Sequence, residues 1–318
     1  MIEIRQMQEE DVDAVRYVDA AAFGAWWKQL RREMTDLPSR TRANALACLE
    51  RDPGGCFVAA EDGQVVGIIF SRTWGRVGWF GPFAVLPQCQ GRGIGRQLIA
   101  ASVGYLRRNA GIIGLETMPE SPDNLGLYLR LGFQARLPSL FLSKQLDRPG
   151  SDAMQTVAWS SAGAKLQERW LAHLREATAR IYPGLDYSKE IVTTARRGLG
   201  ETLVLTDGAR AVGFSTLWLV AAREGWGDEQ ASLQASALDP DHTDEETFYA
   251  LIQASEALAR LHAKVAMTIP VNAGHTWALE HLLRWGYRVD RTMVRMVLKG
   301  TDAGPGTDSC VNLSRWAG

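Results

Sequence analysis

Val85-Leu86-Pro87-Gln88-Cys89-Gln90-Gly91-Arg92-Gly93-Ile94-Gly95-Arg96 is the stretch whose reading decides the fold. The apolar residues 80–85 before it read as a strand, and Pro87 stops the ladder because it has no N–H. Three glycines follow within five residues, and then an amphipathic helix begins, with Ile94, Leu98, Ala101 and Tyr105 at helical spacing on one face. A glycine-rich turn opening a helix points several backbone N–H groups one way, with the positive end of the helix dipole behind them. Such a turn suits a phosphate group. Arg92 and Arg96 add two cations to it.

The choice of phosphate ligand rests on spacing. A P-loop needs Gly-Lys followed by Ser or Thr, which this turn lacks. A dinucleotide fingerprint needs G-x-G-x-x-G after an early strand, whereas the spacing here is G-x-G-x-G and several strand-like segments come first. Glu116, about 20 residues on, stands where a ribose-binding acid would be expected and keeps a nicotinamide-linked reductase as a distant reading. A plain helix start with glycines for tight packing is the bland alternative. Gln90-x-x-Gly93-x-Gly95 after a strand ending in Val-x-Pro is more specific than these. It resembles the acyl-CoA signature of the GNAT superfamily of N-acyltransferases, whose loop amides hold the pyrophosphate of coenzyme A.

Composition sets outer limits. The 318 residues are comfortable for two domains of roughly 150 residues each. A net charge of −1 gives no global field to recruit nucleic acid or an anionic membrane. No run approaches the ~18 apolar residues of a membrane span. Cys48, Cys56, Cys89 and Cys310 lack C-x-x-C spacing and read as reduced residues of a cytoplasmic protein. The five histidines all follow residue 172 without metal-binding helical spacing, so no metal is expected.

Taken in order, residues 2–7 alternate as a strand, and Glu9-Glu10-Asp11 opens a helix carrying Val12, Val15, Val18 and Ala22 inward. A second helical region is expected over 26–50, interrupted at Pro38, with Phe23, Trp26 and Trp27 clustered at the junction. These aromatics either pack in the core or line an acceptor pocket. Segments 56–60, 65–74 and 77–85 form a meander whose first turn is Glu61-Asp62-Gly63-Gln64. After the helix, 112–118 reads as a buried strand.

Pro122-Asp123-Asn124-Leu125-Gly126-Leu127-Tyr128-Leu129-Arg130-Leu131-Gly132-Phe133 then forms a helix closed by Gly132. Asn-x3-Tyr-x3-Gly-Phe at this distance from the turn resembles the second GNAT signature. The resemblance implies that Asn124 contacts the pantetheine arm and that Tyr128 lies near the coenzyme sulfur as general acid. It also implies that backbone groups of Phe83, Ala84 and Val85 bind pantetheine and offer the oxyanion donor, while Gln90, Gly91, Arg92, Gly93, Ile94, Gly95 and Arg96 hold the pyrophosphate. Without the motif, Tyr128 would read as a core tyrosine. Acyl transfer also needs a base, and the first half has no histidine. Glu116, on an otherwise apolar strand where burial would raise its pKa, is the candidate; a strand-end acid facing solvent or held in a salt bridge is the alternative.

The second half repeats the first. Asp62-Gly63 with Val66-Gly67 recurs as Asp207-Gly208 with Val212-Gly213, Leu86-Pro87 as Asp239-Pro240, and Leu131-Gly132-Phe133 as Trp285-Gly286-Tyr287. The expected division is residues 1–146 as a catalytic GNAT domain, 147–153 as linker, 154–300 as a degenerate GNAT-like domain and 301–318 as a C-terminal tail. The expected fold is α/β (α+β), two tandem GNAT-like domains, each a mixed, mainly antiparallel central sheet flanked by helices. In the second half, Asp239-Pro240-Asp241-His242-Thr243-Asp244-Glu245-Glu246 replaces the glycine turn with acids that would repel a pyrophosphate, and Leu282 replaces Tyr128. That half either completes the acceptor pocket or serves only as packing. The resemblance thus implies an acetyl-CoA-dependent N-acetyltransferase acting on a primary amine of a small molecule or amino-terminal group through a ternary complex, as a monomer or homodimer. A non-catalytic acyl-CoA-binding or sensing protein is the alternative.

Overall fold

The structure is a computed structural model, and it describes residues 1–30, 37–146, 156–301 and 310–315. The expected linker 147–153 lies outside the described residues. The first half runs β1 (Ile2–Gln6), α1 (Val12–Leu30), α2 (Arg42–Arg51), β2 (Cys56–Glu61), β3 (Gln64–Trp74), β4 (Val77–Val85), α3 (Ile94–Asn109), β5 (Ile112–Thr117), α4 (Pro122–Arg130), β6 (Phe133–Ala135) and β7 (Ser139–Gln145). The second repeats this order as β8 (Thr156–Ala158), α5 (Ala164–Ile181), α6 (Ser188–Arg196), β9 (Gly200–Asp207), β10 (Arg210–Trp218), β11 (Gln230–Leu238), α7 (Glu245–Leu261), β12 (Ala266–Asn272), α8 (Thr276–Arg284) and β13 (Arg288–Leu298). A last short strand, β14 (Asn312–Ser314), comes from the segment expected as a tail.

One helix boundary differs from the sequence expectation. The first helix does not give way at Trp26 but runs on to Leu30, so Phe23, Trp26 and Trp27 all stand on α1. Gly24 does not break it, because that position is buried and a Cβ there would lie 3.4 Å from the Leu37 Cβ. The inward face is as the spacing requires, with Val12, Val15 and Val18 fully buried.

The fourteen strands among the described residues form one mixed, mainly antiparallel sheet whose main path is β1-β2-β3-β4-β5-β13-β7-β12-β11-β10-β9-β8, with β6 beside β13 and β14 beside β11. Its middle is an exchange. β13 pairs antiparallel with β5 of the first half, and β7 pairs antiparallel with β12 of the second. Met296 and Leu298 of β13 therefore belong to the core built on Ile68, Phe80 and Leu115, while Leu142 of β7 belongs to the core around Phe248, Ile269 and Leu282. Each half lends its last strand to the other.

A third core joins the halves across Trp74, Trp79, Trp170, Tyr187 and Phe214. Beside it, Arg51 of α2 meets Glu190 of α6 at 2.5 Å, both side chains 3 % exposed. Lys189 reaches Asp52 at 2.8 Å. Arg223 reaches the fully buried Asp19 at 2.7 Å.

Candidate active site

The parallel ladder between β4 and β5 is short. It joins Val77 to Ile112 through Phe80 to Leu115 and then ends, so the strands part. Beyond that point Phe83, Ala84 and Val85 pair with Ile69, Ile68 and Gly67 of β3 on one side only. Their other edge is open, and unpaired strand edges present N–H and C=O groups to whatever extended chain enters.

The glycine turn lies at the end of that edge. Gly91 and Gly93 take φ of +76° and +79°, and nothing lies within 4 Å of a Cβ at either position. Gly93 is the N-cap of α3 and offers no side-chain cap. The backbone amides of Gly91, Arg92, Gly93, Ile94, Gly95 and Arg96 have no acceptor among the described residues; the first amide of α3 that does is Gln97, bonded to Gly93 O at 3.3 Å. Gly95 is needed for a different reason: its Cβ would stand 2.8 Å from Cζ of Phe83. Gln90 turns back and donates from Nε2 to the Val85 carbonyl at 3.0 Å, tying the turn to the strand end. Arg92 pairs with Glu61, one bond measuring 2.9 Å, which holds its guanidinium beside the turn. Arg96 is exposed, with no carboxylate partner among the described residues.

Tyr128 projects from α4 against Phe80 and Phe133, ring centroids 6.0 and 6.2 Å away, and is 5 % exposed. Its hydroxyl makes no hydrogen bond among the described residues, and burial pushes its pKa well above the usual tyrosine range. Asn124, one turn earlier on α4, is half-buried.

Glu116 sits at the parting of β4 and β5 with its side chain 1 % exposed. Its surroundings are not the apolar ones expected from its strand. Arg295 of β13 donates to Oε1 from Nε and Nη2 at 3.2 and 3.1 Å, and the Ser139 hydroxyl donates to the same atom. The guanidinium of Arg295 rests over the Trp79 ring, 5.4 Å from its centroid. The partner that makes Glu116 an ion pair comes from the other half of the chain, and nothing local in the sequence announces it. Oε2 has no hydrogen bond among the described residues.

The expected pocket aromatics divide. Phe23 packs against the first core, while Trp26 and Trp27 stay half-buried and meet edge-on at 4.9 Å. An open cavity of about 390 Å³ at the seam, lined by Thr41, Leu199, Ala221, Arg223 and Glu224, shares no residue with the glycine turn or α4.

The second half answers the same geometry differently. Asp244 accepts from the amide of Thr247 at 2.8 Å, capping the start of α7, and Asp239 accepts from that of Asp241 at 3.0 Å, capping the short turn Pro240–His242 before it. Arg180 closes the acids, meeting Asp239 and Asp241 at 2.7 Å. The ladder between β11 and β12 also stops early, at Ser232 and Thr268. Here β14 fills the gap, pairing Ser314, Leu313 and Asn312 with Ala235, Ser236 and Ala237. Leu238 N donates to Val311 O at 3.3 Å. The edge left open in the first half is taken by the chain itself in the second.

Residues 20–133 match the model of the acetyltransferase (GNAT) family, a span that contains both the glycine turn and Tyr128. This stretch is a GNAT acetyltransferase domain. Among curated relatives, mycothiol acetyltransferase of Rhodococcus jostii is 32 % identical over 136 residues, 40 % of this chain and 43 % of the relative. The mycothiol acetyltransferase of Cellulomonas flavigena is 31 % identical over 136 residues, 39 % of this chain and 38 % of its own. The chain thus spans less than half the length of these relatives. A solved putative acetyltransferase from Pyrococcus horikoshii superposes with a TM-score of 0.69 at 18 % identity, covering 99 % of this chain and 95 % of its own. A tandem GNAT protein from the clavulanic acid biosynthesis pathway gives a TM-score of 0.58 at 14 % identity over 96 % and 99 % of the two chains. At these identities the likeness is one of fold, and the fold is that of two tandem GNAT units. Among the described residues, no helix is long and apolar enough to cross a membrane.

Proposed function

We propose that the chain is an acetyl-CoA-dependent N-acetyltransferase, transferring an acetyl group directly to a primary amine within a ternary complex. The observation that carries this reading is the run of unpaired amides from Gly91 to Arg96 at the end of an open strand edge. Unpaired amides at a helix start fit a pyrophosphate, and the edge at Phe83, Ala84 and Val85 fits an amide-bearing arm. Acetyl-CoA, when bound, supplies the acetyl thioester. The chain's own groups do the rest. Loop amides with Arg92 and Arg96 hold the diphosphate, and backbone N–H groups of β4 face the developing oxyanion. Asn124 reaches the arm. Tyr128, kept protonated by burial, gives a proton to the leaving sulfur. Glu116 has its Oε1 fixed by Arg295 and Ser139 and takes the amine proton on Oε2, directly or through water.

A small-molecule acceptor is favoured by the relatives, which are named for mycothiol. Trp26 and Trp27 would line its approach. The division proposed is a catalytic unit in residues 1–146 and a degenerate one in 154–300, acting together. The thiols of Cys48, Cys56, Cys89 and Cys310 are buried and not bridged to one another, which suits a cytoplasmic location. The test is calorimetric titration with acetyl-CoA, followed by release of free thiol in the presence of a panel of primary amines. One molecule bound per chain and amine-dependent thiol release are expected. Two molecules per chain would overturn the reading of the second half, and no binding by folded protein would overturn the assignment.

A further inference from the structure

One face of the central sheet carries arginines that the proposed chemistry leaves unused. Residues opposite one another in a ladder share a face. The register Arg72↔Trp79↔Gly114, then Glu116↔Arg295 and Arg291↔Phe141, places Arg72, Arg295 and Arg291 on the face of Glu116. Ser143↔Thr268↔Ser232 continues that face into the second half, where Arg315 reaches Ser232 Oγ at 3.5 Å. Arg295 has Glu116 as its partner. Arg291, Arg315 and Arg72 have no carboxylate partner among the described residues, and there Nε of the buried Arg72 has no hydrogen-bond partner while its Nη2 donates to Cys48 Sγ at 3.3 Å.

Arg291 and Arg315 converge. Their guanidinium carbons stand 4.4 and 5.8 Å from the centroid of one ring, Phe141. They arrive from different directions. Arg291 projects from β13, the strand lent to the first half. Arg315 follows directly on β14, its amide bonded to Gln234 O at 2.9 Å, so the strand that fills the second half's parted edge also delivers this side chain. Arg291 keeps an exposed surface, yet desolvation by the surrounding protein lowers its pKa against the opposing charges of Asp290, Glu116 and Glu120. Arg315 is lowered further, to about 9, by burial and then by the charges of Arg291, Arg72 and Arg40, with Glu116 opposing. Like charges held together with no ion-pair partner among the described residues, faced only by the more distant carboxylates of Asp290, Glu116 and Glu120, favour an anionic ligand between them.

We infer that Arg291 and Arg315, sharing the ring of Phe141 at the seam of the two halves, hold a carboxylate or phosphate group of the amine acceptor. Glu116 lies on the same face toward the first half, so the acceptor's amine end meets Glu116 and its anionic end meets the two arginines. Planar guanidinium groups match both oxyanions. This inference rests on the acyltransferase reading for what the ligand is, but not for the existence of the anion site.

The test separates the two. Wild type, Arg291→Gln, Arg315→Gln and the double variant are each titrated with acetyl-CoA; no binding to wild type would sink the acyltransferase reading alone. With acetyl-CoA saturating, so that the glycine turn is filled, inorganic phosphate and succinate are titrated calorimetrically, one arm for each anion class. KM is measured in parallel for glucosamine against glucosamine 6-phosphate and for ethylamine against β-alanine. Wild type is expected to prefer the charged member of one pair and to bind the corresponding anion. Each arginine removed should weaken that binding about 10-fold, and Arg291→Lys should retain part of it. Arg107→Gln, on the far end of α3, should leave it unchanged. Equal anion binding by wild type and the double variant overturns the inference, whether or not any amine is turned over.

Discussion

Gly93→Glu is the substitution on which the cofactor reading stands or falls. Gly93 has φ of +79° and nothing within 4 Å of a Cβ, so a side chain fits without collision. The backbone strain of a non-glycine residue there is about 1–2 kcal/mol, a cost the fold can bear. Binding is another matter. The new Cβ and carboxylate enter the space faced by the unpaired amides of Gly91 to Arg96. Each amide–phosphate hydrogen bond contributes roughly 1.5–3 kcal/mol, so the loss of two weakens acetyl-CoA binding by about 10²–10⁴-fold before like-charge repulsion is counted.

The matched control is Gly208→Glu. Gly208, in the Asp-Gly hairpin turn between β9 and β10, has φ of +55° and equally open space, so it carries similar strain. It lies far from the glycine turn in the fold. Both variants should lose comparable stability in urea, while only Gly93→Glu loses acetyl-CoA affinity by calorimetry. Retention of wild-type affinity by Gly93→Glu would refute the argument that these amides hold the diphosphate.

Tyr128→Phe should lower kcat by about 10²–10³-fold and leave the acetyl-CoA Kd within about 2-fold, because the hydroxyl makes no hydrogen bond among the described residues. Since burial raises its folded pKa, the tyrosine stays protonated through its ordinary value near 10, so the wild-type pH–kcat profile should show no tyrosine-dependent fall below about pH 10. Arg51→Ala strands Glu190, 3 % exposed, and should cost about 3–5 kcal/mol in equilibrium unfolding; adding Glu190→Ala should restore part of it. Deleting residues 310–318 removes Val311 and Leu313, both fully buried, and should cost about 3–6 kcal/mol while acetyl-CoA stoichiometry stays at one, because the capped acidic turn gains no free amides.

Much of the first half was legible because its signals are local. Pro87, the glycines at 91 and 93, the closing Gly132 and the Asp-Gly hairpins each set backbone geometry within a few residues, and all lie where the spacing put them. The exchange of β7 and β13 was not legible. Alternation in a strand says which face is buried but not which strand lies alongside, and the partner of Glu116 stands 179 residues away. The strand β14 is only three residues, too short for a periodic signal. The continuation of α1 through Gly24 was missed for a related reason: a contact with Leu37, made only in the fold, makes a small residue suitable there.

The two halves solve one structural problem in opposite ways. At the start of α3 six successive amides have no acceptor among the described residues, and Gly93 supplies no cap. At the start of α7, Asp244 supplies a cap worth about 1 kcal/mol, Asp239 caps the short turn Pro240–His242 just before it, and Arg180 pairs with Asp239 and Asp241. A turn that must receive an anion has to forgo its own caps; a turn that receives nothing is more stable with them. The same logic governs the strand edges, open beside Phe83 in the first half and filled by β14 in the second. On the proposed reading, the second half fills its cleft without becoming dispensable. Its β13 carries Met296 and Leu298 into the first core and Arg295 to Glu116, and the filling of its own cleft brings Arg315 to Arg291. On the proposed reading, closure of the cleft in one unit and completion of the site in the other are the same structural change.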